Sequence, residues 1–569
     1  MVSYLVISSD YNWAHGDAGV YARSARILYE TNTIDVSYSA SSLVGQLLFS
    51  NILCHLFGFR LKVLHLSVYL VNFLALAALY LLLSELGLNR FSAVCGSLTM
   101  LINPIWLKMI DWYMTEPFFM FYLIASILFF IKGLRRNRPL FLYLGSTFAA
   151  LAVLTRQHAV SLSIALMAVC LIYRKSLKKE TLIHSLAASA IPLISIGLFY
   201  LCLFGGKIIH SSVSYSTSVS SNLAIIKSLT NPLTLLSRLY FDTLFSLHYS
   251  AVYLAPLFIT FALALVMNPR RGEELHLDFS RALISVLAVS AGTMILYLKN
   301  NRPMPYLPSI FSIGALTRIF NVPVLSPDTA SFLLTGLSWA GAVILLTGML
   351  EYFVHRKEDK KPAEKVHRKG MQGKNIKPPD EQGQDDPGLR FFYLWGIAYL
   401  LVAIMIGLQY DRYIFPVSIL MIYLLLSRFP WIGEQKKTLV VALALIYSLV
   451  IFQVASHRLS LDLEWTAGET LVHEGVPPCA INGGLGFNHF YSFDCITEAY
   501  KNVTVGRPIN WYKFHPMAEF FVTGDESLAD KQPGLRLYRT FTRERLFGLL
   551  EGTSYIYHRK DGFREPVWI

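Results

Sequence analysis

Long apolar stretches separated by short polar ones make up most of the chain. Several of them reach the roughly 20 residues that a helix needs to cross a bilayer. The pattern predicts a mainly α protein, a polytopic transmembrane helix bundle of about twelve spans embedded in the lipid bilayer. The predicted spans are 62–87, 91–109, 115–132, 139–154, 158–174, 182–204, 246–267, 281–298, 331–353, 391–408, 412–427 and 437–454.

The placement of Lys and Arg between these spans predicts their orientation. Alternate connections are basic, and cytoplasmic loops carry an excess of Lys and Arg. The basic connections lie near 132–138, 174–179, 270–271, 355–390 and 428–437. With this set in the cytoplasm, both ends of the chain lie outside. Because Met1–Ile7 is too short to span, we expect a first span to be missing at the N-terminus; the alternative is a start that truly lies outside.

The chain therefore divides into three predicted domains. Residues 1–61 form an extracytoplasmic loop, 62–454 form the bundle, and 455–569 form a small extracytoplasmic α/β domain. Inside the bundle, 355–390 is rich in Lys, Gly, Gln, Asp and Pro, which is typical of a disordered cytoplasmic linker.

Two segments of the first loop have helical character. Ala18–Glu30 alternates apolar and charged positions with an approximately helical period, and Asp17 stands where an N-cap would. Ser39–Phe57 is apolar with dispersed polar residues. Both suit helices that lie in the membrane interface, or helices that pack on the bundle.

Composition limits the class of protein. With 54% hydrophobic and only 15% charged residues, a chain of 569 residues is not a soluble globular protein. The net charge of +13 is spread over loops, so we expect no nucleic-acid partner. The six cysteines form no CxxC pair, which argues against a zinc or redox motif. Cys479 and Cys495 could form a disulfide if the C-terminal domain is extracytoplasmic.

Ionisable residues at membrane depth are energetically costly and mark functional sites. Here they gather at span ends on the predicted outer face. The short motifs that contain them are HGDAGVYARSAR with Asp17, DWYMTEPFF with Asp111 and Glu116, LTRQHA with Arg156 and His158, and QYDRYIFP with Asp411 and Arg412. Arg302, in the outer loop NNRPMPYLP, is a weaker candidate.

Each candidate also has a purely structural interpretation. Asp17 could cap its helix, and Glu116 could be a first-turn carboxylate that the helix dipole favours. Arg156 and Arg412 could reach from span ends to the interface as snorkelling side chains. These alternatives stay open at the level of sequence.

The order of GDAGVYARSARILYE, the TEP turn, LTRQHA and YDRYIFP resembles the membrane glycosyltransferases of the GT-C superfamily. The branch it is most similar to is family 39 and its relatives, which include protein O-mannosyltransferases and aminoarabinose transferases. The resemblance covers mainly residues 10–160 and 405–430. It implies an acidic residue in the first outer loop, matched by Asp17, and a second one at a later span, matched by Glu116. Many family members carry a second acidic residue directly after the first, whereas this chain has Ala18 at that position.

The resemblance implies transfer of a sugar from a polyprenyl-phosphate carrier to a protein, lipid or glycan acceptor, with the site outside the plasma (inner) membrane. The resemblance identifies no particular cofactor, and a requirement for a divalent cation is left as an alternative. The alternatives are a lipid-linked sugar flippase or other transporter, or a non-catalytic subunit. The candidate residues are Asp17 and Glu116 for catalysis, Arg156, His158, Arg412 and Arg302 for the donor phosphate, and Tyr21, Asp111 and Asp411 for the acceptor or sugar.

Overall fold

The structure of the protein is a computed structural model. The structure describes residues 14, 16–36, 42–109, 112–205, 209–210, 231–267, 279–300, 335–347, 386–406, 413–429, 435–493, 495, 518–532, 534–545 and 550–560. Four of the candidate site residues lie outside these ranges, namely Asp111, Arg302, Asp411 and Arg412.

Helices dominate the described residues. They are α1 Asp17–Thr31, α2 Val44–Phe57, α3 Leu61–Glu85, α4 Arg90–Leu101, α5 Pro104–Met109, α6 Thr115–Arg136, α7 Pro139–Val153, α8 Val160–Ile172, α9 Lys179–Gly205, α10 Pro232–Tyr253, α11 Ala255–Met267, α12 Phe279–Asn300, α13 Thr335–Thr347, α14 Pro387–Ile406, α15 Val417–Arg428, α16 Lys436–His473, α17 Gly484–Phe487 and α18 Leu528–Lys531. The strands are β1 Ile34–Asp35, β2 Ile209–His210, β3 Ile481–Asn482, β4 Phe520–Thr523, β5 Leu535–Arg545 and β6 Leu550–Arg559.

Several of these helices have the length and composition of membrane spans. Among the described residues, α3, α6, α9 and α14 are long and apolar enough to cross a bilayer, or five spans if one bent pair counts as one. Helix α6 is the most enclosed of them, because α3, α7 and α14 pack around it. The chain is a multi-pass membrane protein, and the prediction of a mainly α fold is confirmed. The total of twelve spans stays a prediction.

One predicted span is not a single continuous helix. The hydropathy pattern predicts one continuous span over 246–267, whereas α10 and the first part of α11 meet at Leu254 with a bend of 74°. Pro256 lies in the first turn of α11, and its ring nitrogen cannot donate a hydrogen bond back to the preceding turn. The helix therefore breaks inside an apolar run, and α10 begins earlier than predicted, at Pro232.

Helix α2 combines the two alternatives considered for the first outer loop. Its first turns are buried against the bundle, where Leu47 and Ser50 are inaccessible to solvent. Its last turns expose large apolar side chains, with Ile52 62% and Leu56 68% exposed. An exposed apolar surface on a membrane protein suits contact with lipid.

The C-terminal region forms a small α/β unit, as predicted. Strands β3, β4, β6 and β5 make a four-stranded sheet in that order, with β3 and β4 parallel and the other pairs antiparallel. Helix α16 packs on this sheet and continues to His473, past residue 454, the predicted end of the last span. Cys479 and Cys495 form a disulfide in this unit.

Candidate active site

A buried ion pair joins two of the candidate residues. Glu116 lies in the first turn of α6, and Arg156 lies in the short connection between α7 and α8. Arg156 Nη2 donates to Glu116 Oε1 at 2.6 Å, and both side chains are about 95% buried, at 6% and 5% exposed. Arg156 Nε donates to Thr115 Oγ1 at 2.7 Å, and this hydroxyl lies 3.2 Å from Glu116 Oε2. Arg156 is therefore bound by Glu116 and Thr115 and does not extend to the membrane interface as a snorkelling side chain.

The connection forms because α7 ends just before Arg156. The helix stops at Val153, and a single 3₁₀ turn at Gln157–Ala159 leads directly into α8. Arg156 has an extended backbone at this point, with φ −146° and ψ 127°. An extended residue between two helical segments turns its side chain out of both, here toward the start of α6.

Two tyrosines line the same connection. The Arg156 guanidinium lies 5.3 Å from the centroid of the Tyr413 ring, within the range of a cation–π contact. The His158 ring is 5.1 Å from Tyr413 and 6.1 Å from Tyr399. The Tyr399 hydroxyl donates to the Tyr413 carbonyl at 3.0 Å. Tyr413 belongs to the YDRYIFP motif, so the described end of this motif contacts the LTRQHA turn.

The described contacts leave hydrogen-bonding capacity in this cluster. A guanidinium has five N–H groups, and Arg156 uses two of them on Thr115 and Glu116. The buried His158 Nε2 has no hydrogen-bond partner within the described part of the chain. In a site of low dielectric constant these groups can bind an anion more strongly than they would in water.

Asp17 lies one residue further into its helix than predicted. Gly16 occupies the N-cap of α1 and Asp17 is the first helical residue, so the prediction of Asp17 as the N-cap is wrong by one position. Gly16 has φ 55° and ψ −128°, a conformation that residues with a Cβ rarely adopt. This glycine sets the direction from which the chain enters α1 and thereby the position of Asp17.

A histidine of the C-terminal unit lies at the same point. The His489 Nδ1 is 3.2 Å from the Gly16 carbonyl oxygen, and the His489 side chain is buried. Burial lowers the pKa of His489 to about 4, although the Gly16 carbonyl and the charge of Asp17 both act to raise it. His489 is therefore neutral at pH 7, with its proton on Nδ1 as the donor to Gly16.

Helix α2 links the two parts of the candidate site. It packs on α1 and on both α6 and α7. Ser42 Oγ, just before α2, donates to the Val153 carbonyl at 3.1 Å, and Gln46 Nε2 donates to the Tyr113 carbonyl at 3.2 Å. These bonds fix α2 on the end of α7 and on the segment just ahead of Glu116.

Gly45 allows this close packing, and its replacement tests it. A Cβ at Gly45 would lie 2.2 Å from Thr155 Oγ1 and 2.5 Å from the Leu151 carbonyl oxygen. We expect Gly45→Ala to destabilise the protein by about 1–3 kcal/mol through overpacking, measured as a lower Tm in detergent. Gly197→Ala is the matched control, because no heavy atom lies within 4 Å of its added Cβ. Equal melting temperatures for the two variants would contradict the packing described.

The remaining described candidate, Tyr21, is buried in the core that α1 shares with the bundle. Within the described ranges, no group of three or more His, Cys, Asp or Glu side chains could hold a metal ion. The structure also adds residues that the sequence analysis missed. Thr115 and Tyr413 lie within the predicted motifs and Tyr399 lies beside one of them in space, whereas His489 carries no sequence signal.

These features define a multi-pass membrane protein with a buried, charged, aromatic-lined site at the ends of its helices. No family model matches the chain, and no curated protein matches it in sequence. Among solved structures, it is similar to ArnT from Cupriavidus metallidurans bound to undecaprenyl phosphate, with a TM-score of 0.45 and 11% identity over 97% of this chain and 96% of that one.

The chain is also similar to two structures of the oligosaccharyltransferase from Archaeoglobus fulgidus. The complex with Zn and sulfate gives a TM-score of 0.40 at 13% identity, covering 89% of this chain and 55% of the other. The complex of AglB with an inhibitory peptide and a dolichol-phosphate gives 0.37 at 10% identity, covering 80% and 55%. At these TM-scores the likeness is distant, and the proposed function rests on the residues of the site itself.

Proposed function

We propose that the protein is an integral membrane glycosyltransferase that moves a sugar from a polyprenyl-phosphate carrier to an acceptor on the extracytoplasmic side. The observation that carries the proposal is the buried Glu116–Arg156 pair at the start of α6, with Thr115, His158 and Tyr413 around it. A cation at a span end suits a phosphate at headgroup depth. Burying a charged side chain at membrane depth costs free energy, so a buried cation there indicates a function or a charged partner.

The proposed reaction is one displacement at the anomeric carbon. The acceptor oxygen attacks that carbon while its proton passes to the Asp17 carboxylate, and the bond from the anomeric carbon to the phosphate oxygen breaks. The polyprenyl phosphate leaves with the bonding electron pair, and the Arg156 guanidinium stabilises its charge. Asp17 then releases the proton to solvent. A single displacement inverts the anomeric centre.

Glu116 has a role in this scheme that follows from its contacts. Its carboxylate accepts from Arg156 Nη2, so it holds the guanidinium in one orientation. Arg156 keeps its remaining N–H groups for the phosphate, and His158 is the auxiliary donor. Tyr21, Asp111 and Asp411 remain proposed contacts of the acceptor or sugar, and Arg302 and Arg412 remain proposed contacts of the phosphate.

Two observations support an outer location of the site. The Cys479–Cys495 disulfide is a bond that persists in oxidising compartments. The same unit contacts the start of α1 through His489. Together with the basic connections predicted to be cytoplasmic, they support a site on the extracytoplasmic face of the plasma (inner) membrane.

The test is a donor panel with purified protein. Polyprenyl-phosphate sugars that differ in the sugar and in lipid length are each supplied with protein, lipid and glycan acceptors. We expect release of polyprenyl phosphate with at least one donor, coupled to glycosylation of one acceptor. If the protein instead moves the intact donor between leaflets of a vesicle and releases no phosphate, it is a flippase and the proposal is wrong.

A further inference from the structure

One face of α1 docks on the C-terminal unit. The contacts come from Gly16, Gly19, Arg23 and Arg26, at intervals of three or four residues that place them on one side of a helix. The Arg23 guanidinium lies 4.8 Å from the Phe493 ring centroid, and the Arg26 guanidinium lies 5.0 Å from that of Phe490. The first turns of this helix, as far as Arg26, therefore contact residues 486–493 of the C-terminal unit.

The approach is closest near Asp17. A Cβ at Gly19 would lie 2.3 Å from the Gly486 carbonyl oxygen and 3.1 Å from His489 Cβ. Only a glycine lets the backbones come this near without displacement. The docked segment 488–492 is a π-helix, a rare conformation that is enriched at functional sites. The disulfide Cys479–Cys495 encloses this segment and limits its movement.

The hydrogen bond of His489 acts directly on the peptide that precedes Asp17. The Gly16 carbonyl and the Asp17 nitrogen belong to one planar peptide unit. The His489 Nδ1, 3.2 Å from that carbonyl oxygen, therefore fixes the plane from which the Asp17 side chain extends. His489 is only 3% exposed, so the orientation of its side chain is set by packing.

We propose that His489 is a positioning residue for Asp17, so that the C-terminal unit completes the active site of the bundle. This inference rests on the proposed function of Asp17 as the base of the transfer. It assigns the C-terminal unit a part in catalysis in addition to any binding of the acceptor.

The experiment compares three variants of the full-length protein. His489→Ala removes the hydrogen bond to Gly16. His489→Asn retains it, because the asparagine amide nitrogen stands where Nδ1 does. Tyr491→Phe is the matched control in the same π-helix; it removes only the hydrogen bond from Tyr491 to Glu469, 3.1 Å long. Three readouts are taken, which are donor turnover, the Tm in detergent, and the labelling rate of Asp17 by a water-soluble carbodiimide with an amine, followed by mass spectrometry.

We expect His489→Ala to lower kcat by about 10²-fold, the cost of a small misplacement of a reacting group, with the KM for donor unchanged. His489→Asn should restore most of the turnover, and Tyr491→Phe should resemble wild type. Labelling of Asp17 should change in His489→Ala alone. Unchanged kcat and labelling in His489→Ala would overturn the inference, as would equal losses in the Ala and Asn variants with equally lowered Tm.

Failure of the proposed function gives a different result. In that case the wild-type protein releases no polyprenyl phosphate from any donor of the panel, while the labelling readout still reports on the placement of Asp17. A changed labelling rate of Asp17 in His489→Ala would then still support a positioning role for His489, although the proposed transferase function would be wrong. An unchanged labelling rate would exclude the positioning role.

Discussion

Replacing Asp17 by asparagine lowers kcat for sugar transfer by about 10²–10⁴-fold, the usual contribution of a positioned general base. Asparagine has almost the same shape as aspartate but cannot take the proton of the acceptor hydroxyl at neutral pH. The KM for the lipid-linked donor should change little, because the donor phosphate is assigned to Arg156 at another helix end. Release of polyprenyl phosphate, followed over time at saturating donor and acceptor, measures the effect.

The matched control for Asp17→Asn is Glu30→Gln. It makes the same carboxylate-to-amide change on the same helix, at its exposed C-terminal end. At 1.5 Å per residue the two positions are about 20 Å apart. Glu30→Gln should therefore keep wild-type turnover. Equal turnover in both variants would remove Asp17 from the mechanism, and equal losses would point to a charge effect of the helix as a whole.

Much of the bundle could be predicted from sequence because a bilayer imposes a simple rule. Segments that face lipid must be helical and apolar over a fixed length. Leu61–Glu85, Thr115–Arg136 and Lys179–Gly205 therefore lie close to predicted spans. The break at Leu254 was not predicted. Hydropathy treats Pro256 as one more residue of an apolar run and does not show that its backbone nitrogen has no N–H to donate to the helix.

The candidate site was predicted in part. Glu116 and Arg156 were both singled out for charge at a span end, but their pairing depends on how α6 packs beside the end of α7, 40 residues away in sequence. The contact of His489 with Gly16 spans 473 residues and depends on docking of the C-terminal unit. No local pattern of residues reports a contact of that kind.

The disulfide illustrates the same distinction. From the sequence alone, the disulfide between Cys479 and Cys495 is only a conditional prediction, because it requires the C-terminal domain to be extracytoplasmic. The structure brings the two Cα atoms to 6.2 Å, a distance that permits the bond. The pairing follows from the 3₁₀ turn Pro478–Ala480 and the π-helix Asn488–Ser492, neither of which has a hydrophobic period long enough to be recognised.

The buried pair allows a test that separates stability from chemistry. Arg156→Met removes the ion pair of the buried Glu116 carboxylate, and breaking a buried pair costs about 3–5 kcal/mol. We expect a clearly lower Tm and no measurable transfer. In the double variant Glu116→Met and Arg156→Met, apolar groups of similar length fill the space, and such replacements are commonly neutral or stabilising.

The double variant should therefore recover the wild-type Tm and still fail to release polyprenyl phosphate, since the cation for the phosphate is absent. Arg539→Met is the control, because Arg539 pairs with Glu474 at 2.6 Å in the C-terminal unit with both side chains more than a third exposed. Exposed pairs contribute little, so this variant should keep both Tm and turnover. A double variant that folds and transfers sugar at the wild-type rate would show that Glu116 and Arg156 form a structural pair only. The phosphate would then have to be bound elsewhere.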